Sequence, residues 1–329
     1  MSSYLCDSFG RTIDYLRLSI TDRCNLRCLY CMPAAGVDLI SHEEVLRFEE
    51  LLRICRILTE LGIRSVRISG GEPLLRRGIV DLVRKLKTVK GIEQLSMTSN
   101  GVLLGEYIED LAASGLQGVN ISLNTLDEER FCRISRAQSF VDILPVIDRA
   151  LDLGLRVKIN CVVLRGFNEE DIVKLTGLAK NKSIALRFIE LMPLGAAGNF
   201  QPLREGEVSS MIEREYGKMT AFTLKLGKGP AIYYGLPGFK GYIGFISALS
   251  HNFCGVCNRL RLSASGVLKP CLSNDLCLDL RSLLRSNASD MEIIRAIREL
   301  IAQKPAGHGF DREHVKGKYI KQEMFRIGG

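Results

Sequence analysis

Residues 16–31 read Leu16-Arg-Leu-Ser-Ile-Thr-Asp-Arg-Cys24-Asn-Leu-Arg-Cys28-Leu-Tyr-Cys31, an alternating run followed at once by three cysteines. Side chains alternate between the two faces of a strand, so Arg17 and Ser19 share one face and the aliphatic residues share the other. The three thiols, spaced by three and two residues, can hold one side of an iron–sulfur cubane and leave one iron open to a ligand. The stretch therefore predicts a strand that leads into a cluster-binding loop. A structural zinc site with His42 as fourth ligand is the alternative.

The same alternation recurs further along the chain. Between residues 14 and 191, short β-branched runs alternate with amphipathic helical stretches, which is typical of βα units and a parallel sheet. Strands are predicted at residues 16–20, 65–69, 94–98, 118–123, 155–163 and 184–191. Polar residues sharing one face of these strands are Arg67, Ser69, Asn120, Ser122, Asn124, Arg156, Lys158 and Asn160.

This polar face decides between sheet architectures. A sheet covered by helices on both faces should be apolar throughout. A polar face within βα units instead predicts an α/β fold with an incomplete (β/α)6 TIM-type barrel, whose lumen holds a polar ligand. An antiparallel sheet with one wet face is the alternative.

Two helices are predicted with specific ends. The first begins at a capping box formed by Ser41 and Glu44 and ends at Gly62. Its apolar stripe consists of Val45, Phe48, Leu52 and Cys55. The second is predicted over residues 141–153, closed by Gly154.

A change of composition near residue 225 predicts a domain boundary. Residues 227–245 are rich in Gly and Tyr, and a second cysteine group and a helical region follow. We predict a partial-barrel domain at residues 1–225 and a smaller C-terminal domain at residues 226–329. The second domain is expected to close the open side of the barrel.

Composition excludes several classes of function. The 329 residues include no apolar run long enough to span a membrane and no N-terminal signal pattern, so we expect a cytoplasmic protein. The net charge of +8 is scattered rather than blocked and does not indicate a nucleic-acid polymer as partner. Eleven cysteines, an odd number in a long chain, favour reduced thiols and metal over disulfides. Four of them are isolated and are interpreted as small apolar residues: Cys6, Cys55, Cys132 and Cys161.

Two further motifs carry chemistry. Ser69-Gly-Gly-Glu-Pro73 follows the second predicted strand and on its own could be a turn. Its glycines also allow close backbone approach, and Glu72 offers an acceptor for an ammonium group. The second cysteine group, Cys254, Cys257 and Cys271, is spaced by two and thirteen residues. On spacing alone it could instead be a zinc knuckle with Cys277 or His251 as fourth ligand.

These motifs resemble those of radical S-adenosylmethionine (SAM) enzymes. The Cys-x3-Cys-x2-Cys loop and the Gly-Gly-Glu-Pro segment match that superfamily. The segment from Phe253 to Leu262, with Cys271-Leu, is similar to the auxiliary-cluster segment of the GTP 3′,8-cyclase family. This resemblance covers nearly the whole chain, through residues 187–193 to the terminal Gly328 and Gly329.

The resemblance implies a set of functional residues. Two [4Fe-4S] clusters would be bound by Cys24, Cys28 and Cys31 and by Cys254, Cys257 and Cys271. SAM contacts would be Tyr30, Gly71, Glu72, Ser122 and Met192. GTP contacts would be Arg17, Arg67, Thr98, Lys158, Arg259 and Arg261. Residues implied to take part in catalysis are Arg17, Lys158, Gly328 and Gly329. Arg17, Arg67 and Lys158 also lie on the predicted inner face, where an anionic ligand would offset their burial.

The family's activity gives the expected function. The resemblance implies a lyase that converts GTP to (8S)-3′,8-cyclo-7,8-dihydroguanosine 5′-triphosphate through a 5′-deoxyadenosyl radical, the first step of molybdenum cofactor biosynthesis. Implied partners are an electron donor such as flavodoxin or ferredoxin, the downstream cyclic pyranopterin monophosphate synthase, and a second copy of the chain in a homodimer.

Two other functions are compatible with some of these motifs. A peptide-modifying radical SAM enzyme would have no reason for the Arg259-x-Arg261 pair. A non-catalytic zinc protein that binds nucleic acid would not explain Gly-Gly-Glu-Pro. Four positions depart from the common family pattern without removing a ligand or cation named above: Ser99, Asn124, Phe200 and Ser265.

Overall fold

A single open sheet of twelve strands organises the residues that this computed structural model describes, 4–223 and 226–310. The strands are β1 (Tyr15–Ser19), β2 (Ser65–Ser69), β3 (Gln94–Ser99), β4 (Gly118–Ser122), β5 (Arg156–Val162), β6 (Ala185–Ile189), β7 (Thr220–Phe222), β8 (Ile232–Gly235), β9 (Tyr242–Ile246), β10 (Arg259–Leu262), β11 (Val267–Lys269) and β12 (Leu278–Asp279). The α-helices are α1 (Phe48–Glu60), α2 (Ile79–Lys87), α3 (Leu104–Ala113), α4 (Glu128–Ser135), α5 (Leu144–Asp152), α6 (Asp171–Asn181), α7 (Glu205–Tyr216), α8 (Leu280–Arg285) and α9 (Asp290–Ala302).

The order of strands confirms the incomplete barrel. Strands β1 to β6 are neighbours in chain order and all parallel. The later strands extend both sides: β10 pairs parallel with β1, and β9 pairs parallel with β6. Antiparallel strands β11 and β12 finish one edge, and β8 and β7 finish the other. Within the described strands, β12 and β7 are the two ends of the order, so the sheet stays open. The antiparallel alternative is wrong.

The hydrophobic core lies between the outer face of the sheet and the helices. Leu16, Leu18 and Ile68, on the apolar face of β1 and β2, are fully buried, as is Ile54 of α1. The polar face of the same strands is thereby left to line the inside of the barrel, because successive side chains point to opposite faces.

The first predicted helix is wrong at its beginning. Ser41 and Glu44 do form a capping box, but it closes only a short 3₁₀ turn, His42–Glu44, and Val45 is extended. Helix α1 begins at Phe48, where Glu50 accepts a hydrogen bond from the Arg47 N–H at 2.6 Å. The cause is tertiary: the Leu46 N–H donates to the Ala264 carbonyl, and the Leu46 carbonyl accepts from Arg76. These bonds hold the backbone out of a helix.

Smaller differences occur elsewhere. Helix α5 begins at Leu144, three residues after the predicted start at 141, where Asp142 accepts a hydrogen bond from the Leu144 N–H. Pro145 lies in the first turn, where a backbone N–H would have no partner within the helix.

None of the helices in the described ranges is both long and apolar enough to cross a membrane.

Candidate active site

One large cavity lies inside the open sheet and contains both cysteine groups in its wall. The cysteines that line it are Cys24, Cys28, Cys31, Cys254, Cys257 and Cys271. The inner faces of the strands contribute polar residues, as the alternation predicts: Arg17, Arg67, Ser69, Thr98, Ser122, Asn124 and Asn160. The structure therefore brings together segments that are more than two hundred residues apart.

The first cysteine loop follows β1 and is held at both ends. Asn100, after β3, donates to the Asn25 side chain at 2.7 Å and contacts the Cys24 sulfur at 3.9 Å. Arg136, at the end of α4, donates to the Met32 carbonyl at 2.9 Å. Because these partners come from two neighbouring βα units, the barrel itself sets the position of the loop.

The thiols of this loop are poor acids without a metal. Burial raises the pKa of the Cys24 thiol to about 11 and that of the Cys28 thiol to about 12, in both cases against hydrogen bonds that lower it. Only thiolates bind iron well, so binding a cluster here would displace protons from these sulfurs.

Gly71 and Glu72 pack behind this loop and support the wall of the cavity. A Cβ at Gly71 would lie 2.2 Å from the Arg23 carbonyl oxygen, so only glycine fits. Glu72 is fully buried and accepts hydrogen bonds from the Ser99 hydroxyl and the Asn100 N–H. Burial raises the pKa of its carboxyl to about 7, against these hydrogen bonds. Gly71 lines the cavity, whereas Glu72 lies behind its wall and positions Asn100.

Other residues implied to contact SAM are at the cavity. Tyr30, Ser122 and Met192 all line it. Asn124 donates from its amide to the Tyr30 hydroxyl at 2.9 Å and accepts from the Val162 N–H at 2.9 Å. The departure at position 124 therefore fixes the Tyr30 ring at the wall. Among the described residues, the Asn160 Oδ1 is buried without a hydrogen-bond partner, which suits a polar ligand here.

The second cysteine group approaches the cavity from the C-terminal strands. Cys254 begins a 3₁₀ turn, Cys257 ends it just before β10, and Cys271 follows β11. Burial alone would raise the pKa of the Cys257 thiol, but the nearby charges of Arg259 and Lys304 outweigh it and bring the pKa to about 7. This group is therefore in a more cationic environment than the first.

The proposed fourth ligands for zinc are not part of either group. Cys277 and His42 are exposed and lie off the cavity wall. His251 pairs with the Glu205 carboxylate at 3.0 Å. Throughout the described chain, no three His, Cys, Asp or Glu side chains are arranged to hold a single metal ion. The three thiols of each group line one cavity, and three thiolates are enough to hold a four-iron cluster with one iron left open.

Arginines line the same cavity, and one lysine lies on the same inner face of the sheet. We define the cation group as Arg17, Arg67, Lys158, Arg187, Arg259 and Arg261. In the sheet register Arg17 is opposite Arg67 on one side and Arg261 on the other. Burial, followed by the charge of Arg261, lowers the pKa of Arg17 well below its usual value. Burial and the charge of Arg259 lower the pKa of Arg261 to about 10.

Arg187 is a member of this group that sequence reasoning missed. It lies on β6 opposite Asn160, is 2% exposed and lines the cavity. Its Nε has no hydrogen-bond partner within the described residues. The signal was present, because Arg187 alternates with Leu186 and Phe188 as the other inner-face cations alternate with their neighbours.

Lys158 lies on the same inner face but is covered. Its ammonium donates to the Leu226 carbonyl, and a Cβ at Gly227 would meet its Nζ at 2.9 Å. Burial and the charges of Arg187 and Arg67 lower its pKa to about 6. Gly229 and Pro230 of the covering segment line the cavity, although Lys158 does not. Gly328 and Gly329 lie outside the described residues.

Comparison with known families agrees with the two halves of the site. Residues 18–179 match the Radical SAM superfamily, and residues 184–310 match the family described as Molybdenum Cofactor Synthesis C. Full-length relatives are named GTP 3′,8-cyclase. The chain is 45% identical to that of Thermodesulfovibrio yellowstonii over 98% of this chain and 99% of the relative. It is 42% identical to that of Clostridium perfringens (strain SM101 / Type A) over the same shares.

Solved structures share the fold. SuiB of Streptococcus suis bound to S-adenosylmethionine aligns over 93% of this chain and 69% of its own, with a TM-score of 0.61 and 16% identity. The same protein bound to the precursor peptide SuiA gives a TM-score of 0.60 over 92% of this chain and 67% of its own, also at 16% identity. At this identity the likeness concerns the fold alone.

Proposed function

The chain belongs to the GTP 3′,8-cyclase family of the radical SAM superfamily, and from this premise we propose that it converts GTP to (8S)-3′,8-cyclo-7,8-dihydroguanosine 5′-triphosphate. This reaction is the first step of molybdenum cofactor biosynthesis. One observation carries the proposal: two cysteine triads and five arginines of the cation group line a single cavity inside the sheet.

The first triad and its surroundings fit a [4Fe-4S] cluster with SAM. Cys24, Cys28 and Cys31 would hold three irons and leave the fourth open. Gly71, Tyr30, Ser122 and Met192 line the cavity beside them, and the unpartnered Asn160 oxygen offers an acceptor. When bound, this pair supplies a 5′-deoxyadenosyl radical, and the protein's part is to place the substrate against it. The role left for Glu72 is to hold Asn100 and Ser99 behind this site.

The second triad fits a second [4Fe-4S] cluster that orients the guanine. Cys254, Cys257 and Cys271 would again leave one iron open, on the opposite part of the same cavity. Arg259 packs over the Phe253 ring at 4.8 Å and is thereby directed along the cavity wall. A purine held at this end would extend its phosphates toward the cation group.

The cation group would bind the triphosphate. Arg17, Arg67 and Arg261 are in register on three adjacent strands, so their guanidinium groups form a row that matches several phosphate oxygens. Arg187 on β6 continues the positive wall, and Lys158 on the neighbouring β5 lies behind the segment that covers it. Closely spaced buried cations are costly without an anion. A triphosphate offsets that cost and is fixed in turn, which places the ribose between the two cysteine triads.

The remaining assignments are proposals of the same kind. We propose that the enzyme is a lyase, that it receives electrons from flavodoxin or ferredoxin, and that the cyclic pyranopterin monophosphate synthase consumes its product. A homodimer, cytoplasmic location, the division at residues 225 and 226, and catalytic roles for Gly328 and Gly329 also stay predictions. The fold shared with a peptide-binding protein does not distinguish the substrate, but the row of arginines in register favours a polyanion over a peptide.

Isotope transfer tests the proposed reaction. The reconstituted enzyme is incubated with a reductant, SAM and GTP deuterated at C3′, and the 5′-deoxyadenosine is analysed by mass spectrometry. We expect one deuterium in 5′-deoxyadenosine and a product that has lost it from the ribose. Unlabelled 5′-deoxyadenosine formed at the same rate would overturn the assignment of GTP C3′ as the reacting position.

A further inference from the structure

Two buried cations connect the three segments that carry the second cysteine triad. Arg11 comes from the N-terminal region before β1, and Lys304 follows α9 near the end of the described chain. They are 7% and 3% exposed. Neither lines the cavity, so neither would touch GTP or SAM.

Arg11 binds the first of these segments. Its Nη1 donates to the Cys254 carbonyl at 2.7 Å and to the Ala306 carbonyl at 3.0 Å, and its Nη2 donates to the Pro305 carbonyl at 2.6 Å. Its Nε is paired with Asp7 at 2.5 Å. One guanidinium group thus joins the ligand residue Cys254 to the chain just after Lys304.

Lys304 binds the other two segments. Its Nζ donates to the Arg259 carbonyl at 3.0 Å, two residues after Cys257, and to the Pro270 carbonyl, next to Cys271. The segment that follows is fastened as well, because His308 contacts the Ala248 carbonyl through its Nε2 at 2.8 Å. Together, Arg11 and Lys304 hold one carbonyl in or beside each of the three cysteine segments.

The two cations also differ in whether a carboxylate pairs with them. Arg11 is neutralised by Asp7, whereas among the described residues no carboxylate pairs with Lys304. The groups whose negative charge would favour its ammonium form are the sulfurs of Cys257 and Cys271. A buried ammonium held only by carbonyls is costly. A cluster ligated by thiolates would supply the missing negative charge.

We propose that Arg11 and Lys304 are positioning residues for the second cluster: they fix the spacing of its three cysteine segments, and Lys304 places a positive charge beside it. This inference rests on the proposed second cluster. Because a nearby positive charge stabilises the reduced, more negative state, Lys304 also keeps the reduction potential of that cluster higher than it would otherwise be.

The test isolates the second cluster. In a background with Cys24→Ser, Cys28→Ser and Cys31→Ser, the reconstituted protein should hold about four irons, those of one four-iron cluster. Lys304→Met is then added to this background. We expect loss of most of that iron, or retention with a changed electron paramagnetic resonance spectrum and a lower midpoint potential. Arg11→Met should lose iron in the same background. Arg76→Met, which removes a cation bound to the Ile20 and Leu46 carbonyls instead, is the matched control and should keep it.

A reciprocal background separates positioning from general stability. With Cys254→Ser, Cys257→Ser and Cys271→Ser, the first cluster should remain, and adding Lys304→Met should leave its iron and spectrum unchanged. Loss of the first cluster as well would overturn the proposal, since the effect would then be on the whole fold. An unchanged iron content, spectrum and potential of the second cluster would also overturn it. If the first background binds no iron before Lys304 is changed, the proposed second cluster itself is wrong.

Discussion

Arg17 on β1 lies directly opposite Arg261 on β10, and the charge of Arg261 helps to lower the pKa of Arg17 well below its usual value. Two buried guanidinium groups in register on adjacent strands repel each other in the ligand-free protein. The attraction of a triphosphate bound between them would outweigh that repulsion. The row is therefore arranged for binding a polyanion at some cost to the stability of the empty protein.

Replacing Arg261 with Met should separate stability from binding. We expect the ligand-free Arg261→Met protein to keep a stability within about 2 kcal/mol of the wild type, since relief of the repulsion with Arg17 offsets the contacts that Arg261 loses. The increase in melting temperature caused by GTP should become smaller. Thermal unfolding with and without GTP measures both effects. Arg285→Met, which breaks a surface pair with Glu50, is the control and should leave the GTP effect intact. Destabilisation of the ligand-free protein with an undiminished GTP effect would contradict this account.

Lys158→Ala should abolish turnover without disturbing the clusters. Lys158 is on the inner face and far from either cysteine triad in the sheet order, so iron content should equal that of the wild type. GTP-dependent formation of 5′-deoxyadenosine should fall by about 100-fold or more, as when a preorganised charged donor is removed. Lys182→Ala, which removes a surface pair with Asp148, should retain activity. Loss of iron in Lys158→Ala would show that the residue supports the fold rather than the substrate.

GTP binding should be coupled to proton uptake. The pKa of Lys158 is about 6 in the ligand-free protein because of burial and the charges of Arg187 and Arg67, so the side chain is mainly neutral at slightly alkaline pH. A bound triphosphate raises this pKa, and therefore binding takes up a proton and GTP affinity rises as the pH falls toward 6. Calorimetry in buffers of different ionisation enthalpy measures the uptake. Lys158→Met corrects for protons bound by the nucleotide itself. Equal uptake by the two proteins would contradict the assignment.

Much of the fold could be predicted from the sequence because strand alternation is a local signal. It identified the six parallel strands β1 to β6, though not β9 and β10, and the inner-face residues Arg17, Arg67 and Lys158. The beginning of α1 could not be predicted in the same way, because the backbone of Leu46 is bonded to Ala264, which is distant in sequence.

The site was predictable to a similar extent. The cysteine spacing is local and carried most of the inference. Glu72, in contrast, turned out to lie behind the cavity wall, since its partners Ser99 and Asn100 come from another βα unit. The bonds of Lys304 to the second group of cysteine segments likewise join parts of the chain that are distant in sequence, and they leave no pattern in the sequence.

Replacing Asn124 with aspartate, the residue usual in the family, should be tolerated because the side chain keeps a hydrogen-bond acceptor. Asn124 accepts from the Val162 N–H and donates to Tyr30; an aspartate would still accept from Val162 and could accept from the Tyr30 hydroxyl. Asn124→Asp should therefore keep the iron content and activity within about threefold of the wild type, since both hydrogen bonds are retained. Asn124→Leu loses both bonds and should lower SAM affinity. Equal effects of the two substitutions, measured by SAM binding and turnover, would show that the bond to Tyr30 is unimportant.

The central claim is that one cavity holds two clusters, SAM and GTP. The most direct test is anaerobic reconstitution, followed by iron and sulfide analysis and by chromatography of 5′-deoxyadenosine after addition of dithionite and SAM, with and without GTP. The account predicts about eight irons per chain, from two four-iron clusters, and 5′-deoxyadenosine whose formation depends on GTP. Eight irons with 5′-deoxyadenosine indifferent to GTP would contradict the substrate assignment, and zinc in place of iron would contradict the account as a whole.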